Sequence, residues 1–390
     1  MKNKPAILGG DPVAAVKIGI VRPVLPKFEQ MADGIQSILT SGMVTKGKYL
    51  AAFEEAVADH LRVKHAVAVS SCTSGLMLAY TGLDLQGEVI VPSFTFMATI
   101  SSLIWAGLRP VFVDVDRDTT NLNPMAIAGA ITSDTSGIVA VHNFGNPADI
   151  DKLEEIAHRH QLKLIFDAAH GFGSLYRDVP VGPQGDAQVY SLSPTKLLIA
   201  GEGGIVATNN DDLAERIRIG REYGNDGHYN SIFAGINARM PEFNALMGLY
   251  SLAGLEDAVR HRNRIAALYH QELGSIPGVA FQKVLPGNRC SYKDFSITID
   301  HEQFGLTRDE LAQALAAENV DTRNYYDPPV HAHTAYLGYY YGVPLPETEW
   351  LSRHSLSLPI WSHMEEGVAL NICRAIRRIQ EHAQAIHKVV

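Results

Sequence analysis

The sequence predicts an α/β protein: a mostly parallel seven-stranded sheet between helices, followed by a smaller C-terminal α+β domain. Three observations carry this. Short β-branched runs recur through residue 208, several of them apolar nearly throughout, as strands buried on both faces must be. Helical stretches fall between most of them, the alternation that builds a parallel sheet covered on both sides. At 390 residues the chain exceeds one ordinary domain, and the rhythm stops at Pro241.

The strand runs are His65–Ser70, Glu88–Val91, Val111–Asp114, Gly137–His142, Lys163–Asp167, Ala187–Leu192 and Gly204–Thr208. Thr73–Gly82, Ile150–His160 and Asp211–Glu222 read as helices between them. From Glu242 to about Leu273 the pattern is one long helical region, with a kink expected near Gly254. Turns follow at Pro277–Gly278 and Pro286–Gly287, then a mixed segment with a helical finish over Glu365–Lys388. The domain change is expected in the long helix, giving a large domain over 1–250 and a small one over 251–390.

Composition narrows the function. The formal net charge of −9 argues against a nucleic-acid binder, which needs a basic face to neutralise phosphates. It leaves room for a small anion held by local donors. The cysteines Cys72, Cys290 and Cys373 have neither disulfide-framework nor zinc spacing, so no metal is expected and a reducing cytoplasm fits. The N-terminus lacks the apolar stretch of a signal peptide. Val89–Leu108 carries no charge and is long enough to span a bilayer, but it contains Pro92 and several hydroxyl residues. A strand, a turn and a buried helix explain it better than a membrane span.

In open α/β sheets, ligands bind beyond the carboxyl ends of the strands. After the first run comes Ser70-Ser71-Cys72-Thr73-Ser74-Gly75 at a helix start. Free backbone N–H groups and the helix dipole make this a phosphate cradle, although an ordinary helix cap has the same composition. After the second run, Phe96 offers a face for a planar ring, or simply a core aromatic. The fifth run delivers Asp167 to its carboxyl end, where a carboxylate can pair with a protonated ring nitrogen, cap a helix or bind a metal. The sixth leads to Lys196, flanked by Leu197, Leu198, Ile199 and the Gly201–Gly204 turn. Desolvation there lowers the pKa of an amine and makes it nucleophilic; a surface lysine is the plainer alternative. Each feature is weak alone. Together, in this order, they are the parts of a pyridoxal-phosphate site.

The segments SSCTSGLMLA (70–79), EVIVPSFTFMAT (88–99), PVFVDVD (110–116), AVHNFGNPADID (140–151), FDAAHGFGS (166–174), SLSPTK with GEGG (191–204), GINARMPEFNALMG (235–248) and LSLPIW (356–361) resemble the DegT/StrS family of sugar aminotransferases, a branch of the fold-type I pyridoxal-phosphate enzymes. The resemblance covers nearly the whole chain. It implies that Lys196 carries the cofactor as a Schiff base and shuttles the proton between substrate and cofactor. It implies that Asp167 pairs with the pyridinium nitrogen, His170 lies near the 3-hydroxyl and Phe96 stacks on the ring. Thr73, the Ser74 backbone and Ser191 would hold the phosphate. Asn237 would reach the phosphate of a neighbouring subunit, so a homodimer with shared active sites is expected. Arg239, Tyr325, Tyr326 and His331, with His333 nearby, would border the substrate.

The sequence departs from the family pattern at Cys72, where Gly is common, and at Leu192–Thr195, where Phe-His is common. Cys72 is read as packing. The presence of Lys196, rather than the His of a dehydratase branch, implies transamination. The implied reaction moves an amino group from L-glutamate to a nucleotide-linked keto sugar, with C4 of dTDP-4-keto-6-deoxyglucose the expected acceptor. Amination at C3, UDP- or GDP-linked sugars, keto-cyclitols and an aminohydroxybenzoate-synthase-like reaction are the alternatives on the same frame.

Overall fold

The computed structural model describes residues 4–390. The predicted runs form strands β1 (His65–Val69), β2 (Glu88–Pro92), β3 (Arg109–Val113), β4 (Thr135–Val141) and β5 (Lys163–Asp167); a two-residue hairpin, β6 (Leu175–Tyr176) with β7 (Val179–Pro180); then β8 (Ala187–Ser191) and β9 (Gly204–Thr208). Seven of them make one sheet in the order β1-β9-β8-β5-β4-β2-β3. All neighbours are parallel except where β9 enters, antiparallel to both β8 and β1.

The near-continuous apolar runs have their expected cause. Side chains alternate across a strand, and here both faces are covered. Val67, Val69, Val89, Val91, Val139 and Val206 pack into one core, beneath the helices Cys72–Gly82, Met97–Trp105 and Asp211–Gly220. Their strand neighbours Ala66, Ala68, Ile205 and Ala207 face the opposite core with helix Lys48–Leu61, and Ile90, Ile138 and Leu164 do so with helix Ile150–His160. The Val89–Leu108 run resolves into β2, a turn and helix Met97–Trp105. Among the described residues no helix is long and apolar enough to cross a membrane.

The long C-terminal helical region is two helices, Glu242–Ala253 and Leu255–Leu273, broken at Gly254. Glu242 is buried, and its carboxylate accepts the Gly47, Tyr49 and Leu50 N–H groups, capping helix Lys48–Leu61 from a distance. Beyond Gly254, β10 (Val279–Phe281), β11 (Phe295–Ile299) and β12 (Ser355–Leu358) form a second, antiparallel sheet. It shares a core with helices Leu255–Leu273, Arg308–Ala317 and Glu366–Glu381.

The segment from Ile7 to Ile18 joins this second core rather than the first. Ile18 lies in it and exchanges backbone hydrogen bonds with Asn319 and Asp321. The buried Glu318 carboxylate accepts the Ala6 and Val13 N–H groups and pairs with Arg378. The carboxylate of Glu318 thus draws Ala6 and Val13 across the chain. The segment after Asp321 crosses back the other way, placing Tyr326 and Leu351 against Phe94 and Phe144.

Candidate active site

The parallel strands β1, β2, β4, β5 and β8 end at one edge of the sheet, and antiparallel β9 begins there. A cavity of about 370 Å³ opens at that edge. Its wall includes Thr73, Phe96, Asp167, His170, Ser191, Lys196, Tyr325 and Tyr326. These residues are scattered over the sequence, and the shared strand polarity is what gathers them.

Ser71 caps helix Cys72–Gly82: its hydroxyl accepts the Ser74 N–H at 3.1 Å, and the Ser74 hydroxyl accepts the Ser71 N–H at 3.1 Å. Both readings of this segment thus hold: it is a capping box, and it presents a helix N-terminus to the cavity. Ser74 itself is turned into the box and does not line the cavity. The backbone of β9 lies close behind: a Cβ on Gly204 would sit 2.6 Å from the Cys72 nitrogen, so glycine is needed for that approach.

Lys196 sits in the turn joining β8 to β9. Bonds from Leu192 N–H to the Gly203 carbonyl and from Ala200 N–H to the Leu192 carbonyl pin the turn, and Leu197–Ala200 are buried beneath it. The amine has no hydrogen bond or ion pair among the described residues. Its pKa is pulled from 10.5 down to about 8, first by desolvation and then by the Lys293 charge, with Asp294 opposing.

Asp167 is buried at the end of β5. It accepts the Thr99 hydroxyl at 2.7 Å and the Ala169 N–H at 3.1 Å, with the Cys72 thiol 3.9 Å away. No cation lies within ion-pairing distance among the described residues. Burial raises its carboxyl above the ordinary range, against the charge-stabilising pull of Thr99 and Ala169. Burial, then the Asp167 charge, likewise keeps the Cys72 thiol protonated, so Cys72 fills space beside Asp167.

His170 is held well below its usual pKa, by burial first and then by the charges of Lys196 and Lys293. Its Nδ1 accepts the Phe144 N–H at 3.2 Å, so the neutral ring carries its proton on Nε2. Phe96, at the start of helix Met97–Trp105, leaves half of its surface open, unlike the fully buried Phe94 two residues earlier. Tyr326 stacks on Phe144 at 5.8 Å and meets Phe94 edge-on at 5.3 Å.

Other expected residues lie elsewhere in the single chain. Asn237 is exposed and Arg239 half-buried, both off the cavity, with Arg239 paired to Glu222. His331 is buried away from the cavity wall, its Nδ1 2.7 Å from the Ser93 hydroxyl, and His333 bonds the Pro328 carbonyl. The wall also includes Ser193 and Thr195, from the segment that departs from the family pattern, and Thr95, Glu202, Lys293 and Asp294, none singled out from the sequence, while Thr99 binds Asp167 from behind. The one local signal for Lys293–Asp294 is two charges set directly before an apolar strand.

These donors suit pyridoxal phosphate. An unpartnered amine, a buried carboxylate lacking a cation, a half-open aromatic face and a helix N-terminus meet in one cavity, each the complement of a part of that molecule. The fold and this site define an aminotransferase of the fold-type I class. The model of the DegT/DnrJ/EryC1/StrS aminotransferase family matches residues 27–377, and the chain belongs to this family; it is a pyridoxal-phosphate-dependent transaminase. It is 35% identical over 354 residues to the dTDP-3-amino-3,4,6-trideoxy-alpha-D-glucose transaminase of Streptomyces venezuelae, covering 89% of this chain and 91% of that one. It is 32% identical to the spore coat polysaccharide biosynthesis protein SpsC of Bacillus subtilis, covering 93% and 96%. The structure of DesI with its TDP-sugar product superimposes with a TM-score of 0.91 at 36% identity, covering 99% of this chain and 98% of that one.

Proposed function

We propose that the enzyme moves the amino group of L-glutamate to the ketone of a dTDP-linked deoxy sugar, with C4 of dTDP-4-keto-6-deoxyglucose the acceptor, for deoxyamino-sugar synthesis in the cytoplasm. The observation that carries this is the meeting, in one cavity, of an amine and a carboxylate each without its counterpart. Support for the sugar comes from the relatives, one named for a dTDP-amino sugar and another bound to a TDP-sugar product.

When bound, pyridoxal phosphate supplies the electron sink through which an amine is exchanged for a carbonyl oxygen. On this reading Lys196 Nζ would hold the cofactor, and its free amine would move the proton at the substrate carbon as base and acid. Asp167 would keep the ring nitrogen protonated. His170 Nε2–H would donate to the 3-hydroxyl, Phe96 would offer its face to the ring, and the Thr73 and Ser74 backbone with the Ser191 hydroxyl would bind the phosphate. Tyr325 and Tyr326 face the acceptor. Asn237 of a second copy completes the phosphate site, and the position of Asn237 and Arg239, off their own chain's cavity, suits a shared-site homodimer. We place the boundary between the large domain (1–250) and the small domain (251–390) within the long helical region.

Incubation with L-glutamate tests the transaminase half: absorbance should shift to that of the aminated cofactor, with release of 2-oxoglutarate. A panel of dTDP-, UDP- and GDP-keto sugars against free cyclic ketones tests the acceptor. The Streptomyces relative's name favours a second reading, amination at C3. NMR of the amino-sugar product distinguishes the two carbons.

A further inference from the structure

The cavity wall contains one buried ion pair that the proposed chemistry does not use. Lys293 Nζ lies 3.0 Å from both Asp294 oxygens, and the side chains are 7% and 8% exposed. Desolvating two charges costs several kcal/mol per ion, and well-packed apolar residues are often as stable. Stability alone therefore does not account for a pair placed here.

It is also held firmly. Lys293 N–H bonds the Phe144 carbonyl at 2.9 Å, and the buried Arg262 donates to the Tyr292 and Lys293 carbonyls, both at 2.9 Å. Ser291 bonds the His170 carbonyl, and Asn263 the Cys290 carbonyl. The pair is thus presented to the cavity from the start of β11, with Lys293 5.8 Å from the Tyr325 ring centre.

A carboxylate has about four lone-pair sites, yet Lys293 is the sole donor to Asp294 among the described residues. The pair is net neutral. An incoming carboxylate or phosphate would meet the charge of Asp294 along with that of Lys293. A hydroxyl suits both, donating to Asp294 and accepting from Lys293.

We propose that Lys293 and Asp294 form a hydroxyl-binding subsite that seats the acceptor sugar through the hydroxyl next to its ketone. This rests on the sugar-acceptor reading above. The subsite positions the acceptor and bears on glutamate loading only through the opposing pulls of Lys293 and Asp294 on the Lys196 amine.

The test uses the holoenzyme, dTDP-4-keto-6-deoxyglucose and its 3-deoxy analogue, with the two half-reactions followed separately in single turnovers. Wild type should lose roughly 10- to 100-fold in kcat/KM when the hydroxyl is absent, the effect of one charge-assisted hydrogen bond. Lys293→Met/Asp294→Asn, which removes both charges and keeps the shape, should treat the two acceptors alike. Its acceptor half-reaction should fall at least about tenfold more than its glutamate half-reaction. Asp294→Asn alone is nearly isosteric and gives an independent second arm, with cofactor absorbance reporting folding. Variants that reject the deoxy analogue as strongly as wild type, or that slow both half-reactions equally, overturn the subsite. Loading from glutamate by wild type with discharge to neither sugar defeats the acceptor reading itself, and the subsite falls with it.

Discussion

Thr99→Val removes one hydroxyl and keeps the side-chain shape. In the structure that hydroxyl donates to Asp167 Oδ2 at 2.7 Å, the shorter of the two conventional hydrogen bonds reaching this buried carboxylate. A hydrogen bond to a charged group contributes about 1.5–3 kcal/mol, or roughly 10- to 150-fold in an equilibrium. The bond stabilises the carboxylate over the carboxylic acid, so its loss reinforces burial, which already raises the Asp167 pKa. The sign follows. If activity needs the carboxylate, the acidic limb of the pH–rate profile moves to higher pH, and the variant fails at a pH where wild type still works. Stopped-flow measurement of the glutamate half-reaction across pH reads this directly. Thr99→Ser restores the donor without the methyl and should restore the limb. A Thr99→Val profile that superimposes on wild type, or a Thr99→Ser profile displaced equally, would refute the role assigned to Asp167 and its hydroxyl partner.

Lys196→Ala should abolish the visible absorbance of the attached cofactor and cut transamination by at least roughly 100- to 10,000-fold, the range for a positioned acid–base group; turnover at wild-type rate sinks the assignment. Because the Lys196 amine titrates near 8, its reactive neutral form grows about tenfold per pH unit below that value and levels above it. The rate of cofactor uptake by the apoenzyme should follow the same curve, and a midpoint near the ordinary lysine value would contradict the desolvated site. Mixing inactive Lys196→Ala and Asn237→Ala chains should restore activity, because a mixed dimer rebuilds one intact shared site; no recovery after verified subunit exchange counts against sharing. Glu242→Ala orphans three N–H groups at the start of helix Lys48–Leu61, a loss of about 2–4 kcal/mol readable in urea unfolding. Glu242→Gln, which keeps an acceptor oxygen, should lose less.

The sheet was legible because burial on both faces leaves a local mark. Strands such as β2 and β5 must be apolar at consecutive positions, and that needs no knowledge of neighbours. Their order and direction leave no such mark. Gly204–Thr208 reads like any other run, yet β9 lies antiparallel between β8 and β1. That insertion brings Gly203 and Gly204 to the carboxyl-end edge, behind the start of helix Cys72–Gly82. Lys196 and Asp167 were legible for a similar local reason. Each stands at a strand end or Gly-rich turn among apolar residues, where an ionisable group is out of place.

What stayed hidden depends on residues meeting across the chain. Tyr325 and His331 belong to one polar-aromatic stretch, and sequence offers no ground for separating them. Packing does: Tyr325 lines the cavity, whereas His331 is taken up by the Ser93 hydroxyl and the Phe112 and Tyr340 rings. Lys293 and Asp294 are the converse case. As adjacent opposite charges they carry no local mark of burial, and the anchors from Arg262, Phe144 and Ser291 carry them into the site. A shared cofactor chemistry fixes the residues near Lys196, so those can be found by likeness. On the proposed reading the acceptor would be met by segments that return from the second core, where the chain's own packing, rather than the family pattern, would set which hydroxyls and carbons of a sugar are accommodated.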